Sequence, residues 1–286
     1  MLPADFPYYF CGIPFRPYQV GRKLKWLLAH GDIRPVMKGV YVDVRVPDSP
    51  ELRADSARLL IPPDAIACGP TAAWLHGLDT TALGPAELVQ AHWTRQPSDE
   101  VDVLGVRVTS PTATAVELAM RLPRPFALSS VDAFLRSAKA DRATLQAACA
   151  AYEGRPGYRQ AQDILRWADD RAASPGEWLR LRLIDGGFGR PELQVPVRGP
   201  TRTYRLDLGF PTRPVDGRRL GLEYDSDQWH SSKKQQLKDE TRRTELDALS
   251  WHVISVRRTD LWGSYPALEL AVGAFLCQEP RLPRRW

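Results

Sequence analysis

Between Pro191 and Asp225 the chain carries three short segments of alternating or continuous apolar character: PELQVPV (191–197), TYRLDLGF (203–210) and RLGLEYD (219–225). Each is too short for a stable helix and is bounded by glycine, proline or aspartate, so all three read as strands. Asp216 and Gly217 supply the tight turn between the last two. Ahead of them, Ser174, Pro175 and Glu177 have the spacing of a helix start with a capping box, and the run LRLRLIDGG ends that helix at glycine. A charged helix over about 234–249 and the strand WHVISVR (251–257) follow. Helix, strand, strand, strand, helix, strand is an α+β order, and few folds accommodate it.

The same alternation places charge. On the third strand Leu220, Leu222 and Tyr224 occupy one face, which sends Glu223 and Asp225 to the other. On the second strand Leu206 and Leu208 are expected to face one way and Asp207 the opposite way. The turn then brings Asp207 beside Glu223, so that Asp207, Glu223 and Asp225 share one small region. Three carboxylates at close range repel and resist ionisation unless a cation joins them. Hard oxygen donors with open positions suit Mg²⁺ or Mn²⁺. The solvated face of an edge hairpin produces the same pattern, and alternation alone leaves both readings open.

The rest of the chain sets the organisation. The 286 residues suffice for two compact domains or three small ones. Residues 19–42, QVGRKLKWLLAHGDIRPVMKGVYV, predict a helix closed by Gly31, a strand, a turn at Lys38 and Gly39, and a second strand. This is the outline of a recognition helix and wing. Leu24, Leu27 and Leu28 would face a small core, and Arg22, Lys23 and Lys25 would point outward near phosphates, or simply into solvent. A middle segment predicts a short helix from Pro70, strands in 87–93 and 101–109, and helices in PTATAVELAMRL, LSSVDAFLRS, RATLQAACAAY and YRQAQDILRWADD. The expected division is therefore 1–60, a winged-helix-like module; 61–170, a mixed α/β segment; and 171–286, the αβββαβ domain.

Charge and cysteine usage exclude several classes. The net charge of +5 resides entirely in residues 171–286, where 20 Lys and Arg face 15 Asp and Glu. That excess permits phosphate contacts. Cys11, Cys68, Cys149 and Cys277 form no CxxC pair, so neither a zinc ribbon nor a redox motif is present, and reduced, mostly buried thiols are expected. His76 and His92 stand apart from other ligand-type residues and read as core or surface histidines. No apolar run approaches the roughly eighteen residues of a membrane-spanning helix, and MLPADFPYYF lacks the layout of a secretory signal. No membrane partner and a cytoplasmic location are expected.

Two resemblances sharpen these readings. GDIRPVMKGVY, GPTAAWLHGL and TSPTATAVELA, within about residues 10–140, resemble the winged-helix and following region of abortive-infection antitoxin-like proteins, a DNA-binding family common in actinobacteria and their mobile elements. SPGEWLRLRL, YRLDLGFP, LGLEYDSDQWH, DETRR and SWHVISVR, within about residues 172–275, resemble the restriction-endonuclease-like PD-(D/E)xK domain related to the very-short-patch-repair endonuclease. The second resemblance implies metal binding by Asp207, Glu223 and the Tyr224 carbonyl, with Glu177 contributing through water unless it serves only as a cap. It also implies catalytic groups in the segment ending at Trp229 and His230. Because Asp225 occupies the position of the signature lysine, the general base must come from elsewhere: His230, or Lys233 or Lys234 behind it. Arg242 matches the arginine of the family's DxxR string and is assigned to scissile-phosphate binding or to holding an acid. Lys234 and Lys238 share its helical stripe. The implied activity is Mg²⁺-dependent phosphodiester hydrolysis in DNA, in repair or mobile-element defence. The alternative is a DNA-binding regulator or antitoxin whose nuclease fold is catalytically silent or dependent on a partner. A homodimer or a toxin or restriction partner fits either.

Overall fold

The computed structural model describes residues 12–79, 83–84, 88–96, 98–171, 176–200, 202–225 and 233–286; at 176 and 233–239 it describes the backbone alone. Among the described residues the chain is α+β, with twelve helices and three small sheets. It divides into two compact units, Met1–Asp170 and Arg171–Trp286. No described helix is long and apolar enough to cross a membrane.

In the first unit, α1 (Pro17–Val20) and α2 (Lys23–Ala29) precede an antiparallel hairpin of β1 (Ile33–Met37) and β2 (Val40–Asp43) and then α3 (Pro50–Arg58). Gly31 and Gly39 take the left-handed backbone conformation after the helix and in the turn. Leu27 is fully buried and Leu24 packs partly against it, whereas Leu28 is 37% exposed and does not join the core as expected. Arg22, Lys23 and Lys25 are exposed. A second sheet, ordered β4-β3-β6-β5, is formed by β3 (Ile66–Ala67), β4 (Trp93–Thr94), β5 (Glu100–Val103) and β6 (Val106–Thr109), with α4 (Gly69–Leu75) after β3. The single strand expected over 101–109 is a hairpin instead. Leu104 and Gly105, both with positive φ, turn it back on itself, and leucine is a poor sequence signal for such a turn.

Four helices complete the unit: α5 (Pro111–Arg121), α6 (Arg124–Arg136), α7 (Arg142–Ala150) and α8 (Tyr158–Trp167). At Gly157 a side chain would meet the Met120 carbonyl oxygen at 2.4 Å, so only glycine permits this approach of α8 to α5. The expected boundary near residue 60 is not a break in packing. One apolar cluster joins Val36, Met37 and Val42 of the hairpin to Leu52 of α3, Trp74 of α4 and Val106 and Val108 of β6. His76 is a core residue: its Nε2 lies 2.8 Å from the Thr109 carbonyl, its ring meets the edge of Phe134, and burial holds its pKa below the usual histidine value. Among the described cysteines, all free, Cys149 is buried, Cys68 is half-buried and Cys277 is exposed.

The second unit runs α9 (Gly176–Asp185), β7 (Glu192–Arg198), β8 (Thr203–Val215), β9 (Arg218–Tyr224), α10 (Lys233–Ala248), β10 (Trp251–Val256), α11 (Arg258–Trp262) and α12 (Ala267–Leu276). Its four strands form one mixed sheet ordered β10-β9-β8-β7, in which β9 and β10 are parallel and the other pairs antiparallel. Asp216 and Gly217, both with positive φ, close the β8–β9 turn. On one face of the sheet Leu208, Phe210, Leu220 and Leu222 pack with Leu179 and Leu183 of α9, Leu261 of α11 and Leu268, Val272 and Leu276 of α12. On the other, Val195, Val197, Tyr204 and Leu206 pack with Leu246 of α10 and Trp251.

Leu206 and Leu208 therefore do not share a face, contrary to simple alternation. A side chain at Gly221, the neighbour of Leu220 and Leu222, would meet Leu206 at 2.6 Å, and one at Gly209 would meet Trp251 and Val195. Both glycines thus belong to the face opposite Leu208, and Leu206 packs on theirs. The irregularity coincides with Gln194 on β7, whose φ is +52°, between Val195, paired to Leu206, and Leu193, paired to Leu208. Local departures of this kind re-aim side chains near sites. Asp207 stands at the crossover.

Candidate acidic site

Asp207 and Glu223 come together because β8 and β9 are paired in register, with Leu208 opposite Leu222. Where the ladder ends, Asp207 replaces the missing backbone acceptor: its Oδ2 accepts the Tyr224 backbone N–H at 2.9 Å. One carboxylate oxygen is thus committed to the end of the strand. Glu223 points to the α10 side of the sheet, where its Oε1 accepts from Arg242 Nη2. The same nitrogen donates to the Arg205 carbonyl at 3.0 Å, and the guanidinium carbon lies 5.7 Å from the centre of the Tyr204 ring. The Tyr204 hydroxyl donates to Glu245 Oε2, which also accepts from Arg202 Nη2 at 2.6 Å. Tyr204, Glu245 and Arg202 thereby fix the surface on which Arg242 rests.

Burial raises the Glu223 pKa above the usual glutamate range; Arg242 opposes this, and the charges of Asp207 and Asp225 reinforce it. Asp207 lies beside Glu223 through its bond to the adjacent Tyr224 N–H, and Asp225 follows Glu223 by two residues, just past the end of β9. Asp225 itself is exposed, and its backbone N–H donates to the Val256 carbonyl at 2.9 Å. Among the described residues no three His, Cys, Asp or Glu side chains converge in metal-binding geometry. The carboxylate oxygens of Asp207 and Glu223 are nevertheless hard donors of the kind that suits a divalent cation.

The other sequence-derived candidates are placed as follows. Glu177 lies in the first turn of α9 and is fully buried. Ser174 and Pro175, the rest of its expected cap, are outside the described residues, as are Trp229 and His230. Lys233, Lys234 and Lys238 belong to α10, but their side chains are also outside them. Arg22, Lys23 and Lys25 lie in the first unit. Sequence reasoning did not single out Tyr204 or Glu245. The available signal was spacing, since Glu245 follows Arg242 by three residues and so shares its helix face.

The fold and site define an α+β protein in which residues 84–166 match the AbiEi antitoxin C-terminal domain family. The chain is also similar to the uncharacterized protein Rv2248 of Mycobacterium tuberculosis and to its counterpart MT2308 in strain Oshkosh. Each is 36% identical over 205 residues, covering 67% of this chain and 74% of the relative. The chain belongs to the family of these mycobacterial proteins. No solved structure matches it.

Proposed function

We propose that the Arg171–Trp286 unit is a PD-(D/E)xK-type, restriction-endonuclease-like domain whose acidic site hydrolyses phosphodiester bonds in DNA with Mg²⁺ or Mn²⁺. The observation that carries this reading is the juxtaposition of Asp207 with Glu223 and Tyr224, with Asp225 next in the chain, at the end of paired strands in an α-β-β-β-α-β unit. The metal would be held by the free oxygen of Asp207, by Glu223 and by the Tyr224 carbonyl. When bound it supplies an activated water and charge stabilisation at the phosphate. The chain's own residues do the remaining work. Asp207 ties the Tyr224 backbone in place, and Arg242 offers a guanidinium suited to a phosphate oxygen. His230, Lys234 and Lys238 are assigned to proton transfer and phosphate contact from the segment that follows β9. Glu177 retains either a water-mediated or a capping role.

The test is a plasmid and single-strand cleavage assay of the full chain with Mg²⁺, Mn²⁺ or EDTA. Cleavage with either metal and none with EDTA is expected, and Glu223→Gln should abolish it. Cleavage by the variant at the wild-type rate rules the site out.

A second reading is favoured by the match of residues 84–166 to an antitoxin domain: a DNA-binding, antitoxin-like regulator with a toxin partner and a C-terminal fold that is catalytically silent or partner-dependent. The comparisons support this reading more directly than they support the nuclease. Under it, α2 and the β1–β2 hairpin act as the winged-helix-like nucleic-acid module. Charge reversal of Arg22, Lys23 and Lys25 together should then weaken DNA binding at low salt. It should also reduce the slope of log affinity against log salt by about 2 to 3, since each lost phosphate contact removes about 0.9. An unchanged slope would assign this helix to a protein contact instead.

A further inference from the structure

We infer that Arg242 is a built-in counter-cation, which holds Glu223 while no divalent ion is bound and must give it up for the ion to bind. This inference rests on the reading of Asp207 and Glu223 as a metal site. Glu223 is only 24% exposed, and Asp207 stands beside it on the paired strand, bonded through Oδ2 to the backbone N–H of the next residue, Tyr224. An anion so placed needs a positive partner, and α10 provides one within the chain. Arg242 reaches it from a defined platform made of the Tyr204 ring and the Arg205 carbonyl, with Glu245 and Arg202 anchoring Tyr204. The arginine is not locked there. Its side chain is 34% exposed, and among the described residues its Nε is buried without a hydrogen-bond partner. A guanidinium that is half-satisfied and borders solvent can leave at modest cost.

A merely positioning role predicts the opposite consequence. If Arg242 only orients Glu223 for a metal, its removal weakens metal binding. If it competes with the metal for Glu223, its removal tightens binding. The measurement is Mn²⁺ affinity of the full chain, without nucleic acid, by titration calorimetry and by the electron spin resonance of free Mn²⁺. Arg242→Met keeps an unbranched stem over Tyr204 while deleting the charge; Arg242→Gln is the second variant should the first not fold. Arg243→Gln is the control. It removes the same unit of charge from the next residue, whose Nη2 donates to Ser255 Oγ at 3.0 Å and not to Glu223.

Loss of one competing charge at close range is expected to lower the Mn²⁺ dissociation constant by about tenfold or more in both Arg242 variants. Arg243→Gln should leave it within about twofold of wild type, because an exposed charge acts weakly through solvent. Binding detectable only in the Arg242 variants supports competition equally. Equal or weaker binding in those variants, with wild type still binding Mn²⁺, overturns competition and leaves the metal site standing. Equal tightening in Arg243→Gln also overturns it, as an effect of overall charge. No Mn²⁺ binding in any of the proteins overturns both the counter-cation and the metal site.

Discussion

Glu269→Ala should destabilise the second unit by about 3–5 kcal/mol, the usual cost of removing one partner from a buried ion pair. Glu269 is 1% exposed on α12. It accepts from Arg284 at 2.8 and 2.6 Å through its two oxygens, and Arg182 Nε lies 3.6 Å from Oε1. Arg182 is itself buried, donates to the carbonyls of Leu261 and Trp286, and stacks over the Trp286 ring at 3.5 Å. Burial first, and then repulsion from Arg284, lowers its pKa to about 10, with Glu269 and Asp185 opposing the shift. Deleting Glu269 leaves two guanidiniums withdrawn from water without the carboxylate they share. The lost anchor ties α12 and residues 284–286 to α9, so urea unfolding should show a lower midpoint with an unchanged slope. Glu269→Gln, which keeps one acceptor oxygen, should fall between. A change below about 1 kcal/mol in Glu269→Ala would place the network among pairs that contribute little.

That network shows where sequence reading stops. Arg180, Arg182 and Glu177 are charges on a short helix, and charge on a helix normally marks the solvated face. Here all three are buried, and Arg182 finds partners on Glu269, Leu261 and Trp286, far along the chain. No local pattern encodes such a pairing. By contrast, the order of elements from α9 to β10 and the turn at Asp216 and Gly217 were legible, because strand alternation and turn chemistry are local. The proximity of Asp207 and Glu223 followed from that turn. The facing of Leu206 did not, since a left-handed glutamine on the neighbouring strand shifts the pattern and glutamine carries no signal for it. Likewise, the salt bridge of Arg242 to Glu223 joins a helix to a strand, and the sequence offered for it only a resemblance and a charge.

Asp207→Asn should abolish metal-dependent cleavage while leaving the fold in place, and the reason lies in what each oxygen of Asp207 does. Oδ2 caps the Tyr224 N–H at the end of the ladder, a task that an amide oxygen performs equally well. On the proposed reading, the negative charge is the part that serves the cation. Asparagine therefore keeps the structural half of the residue and deletes the chemical half. Without metal, losing one of several like charges should leave stability unchanged or raise it by up to about 1 kcal/mol. With Mg²⁺ or Mn²⁺, wild type should melt at a higher temperature and the variant should not, because an ion that binds only the folded state stabilises it by mass action. Cleavage should fall by at least about 10³-fold, the loss expected when several kcal/mol of metal-derived stabilisation disappear. Asp207→Ala separates the two tasks. It removes the cap as well and should cost about 1–2 kcal/mol in either condition for the unsatisfied Tyr224 N–H. If asparagine and alanine destabilise alike in the absence of metal, and metal protects both as it does wild type, Asp207 is a strand-end cap and the ion binds elsewhere. If asparagine alone is neutral and blind to metal, the carboxylate charge belongs to the site.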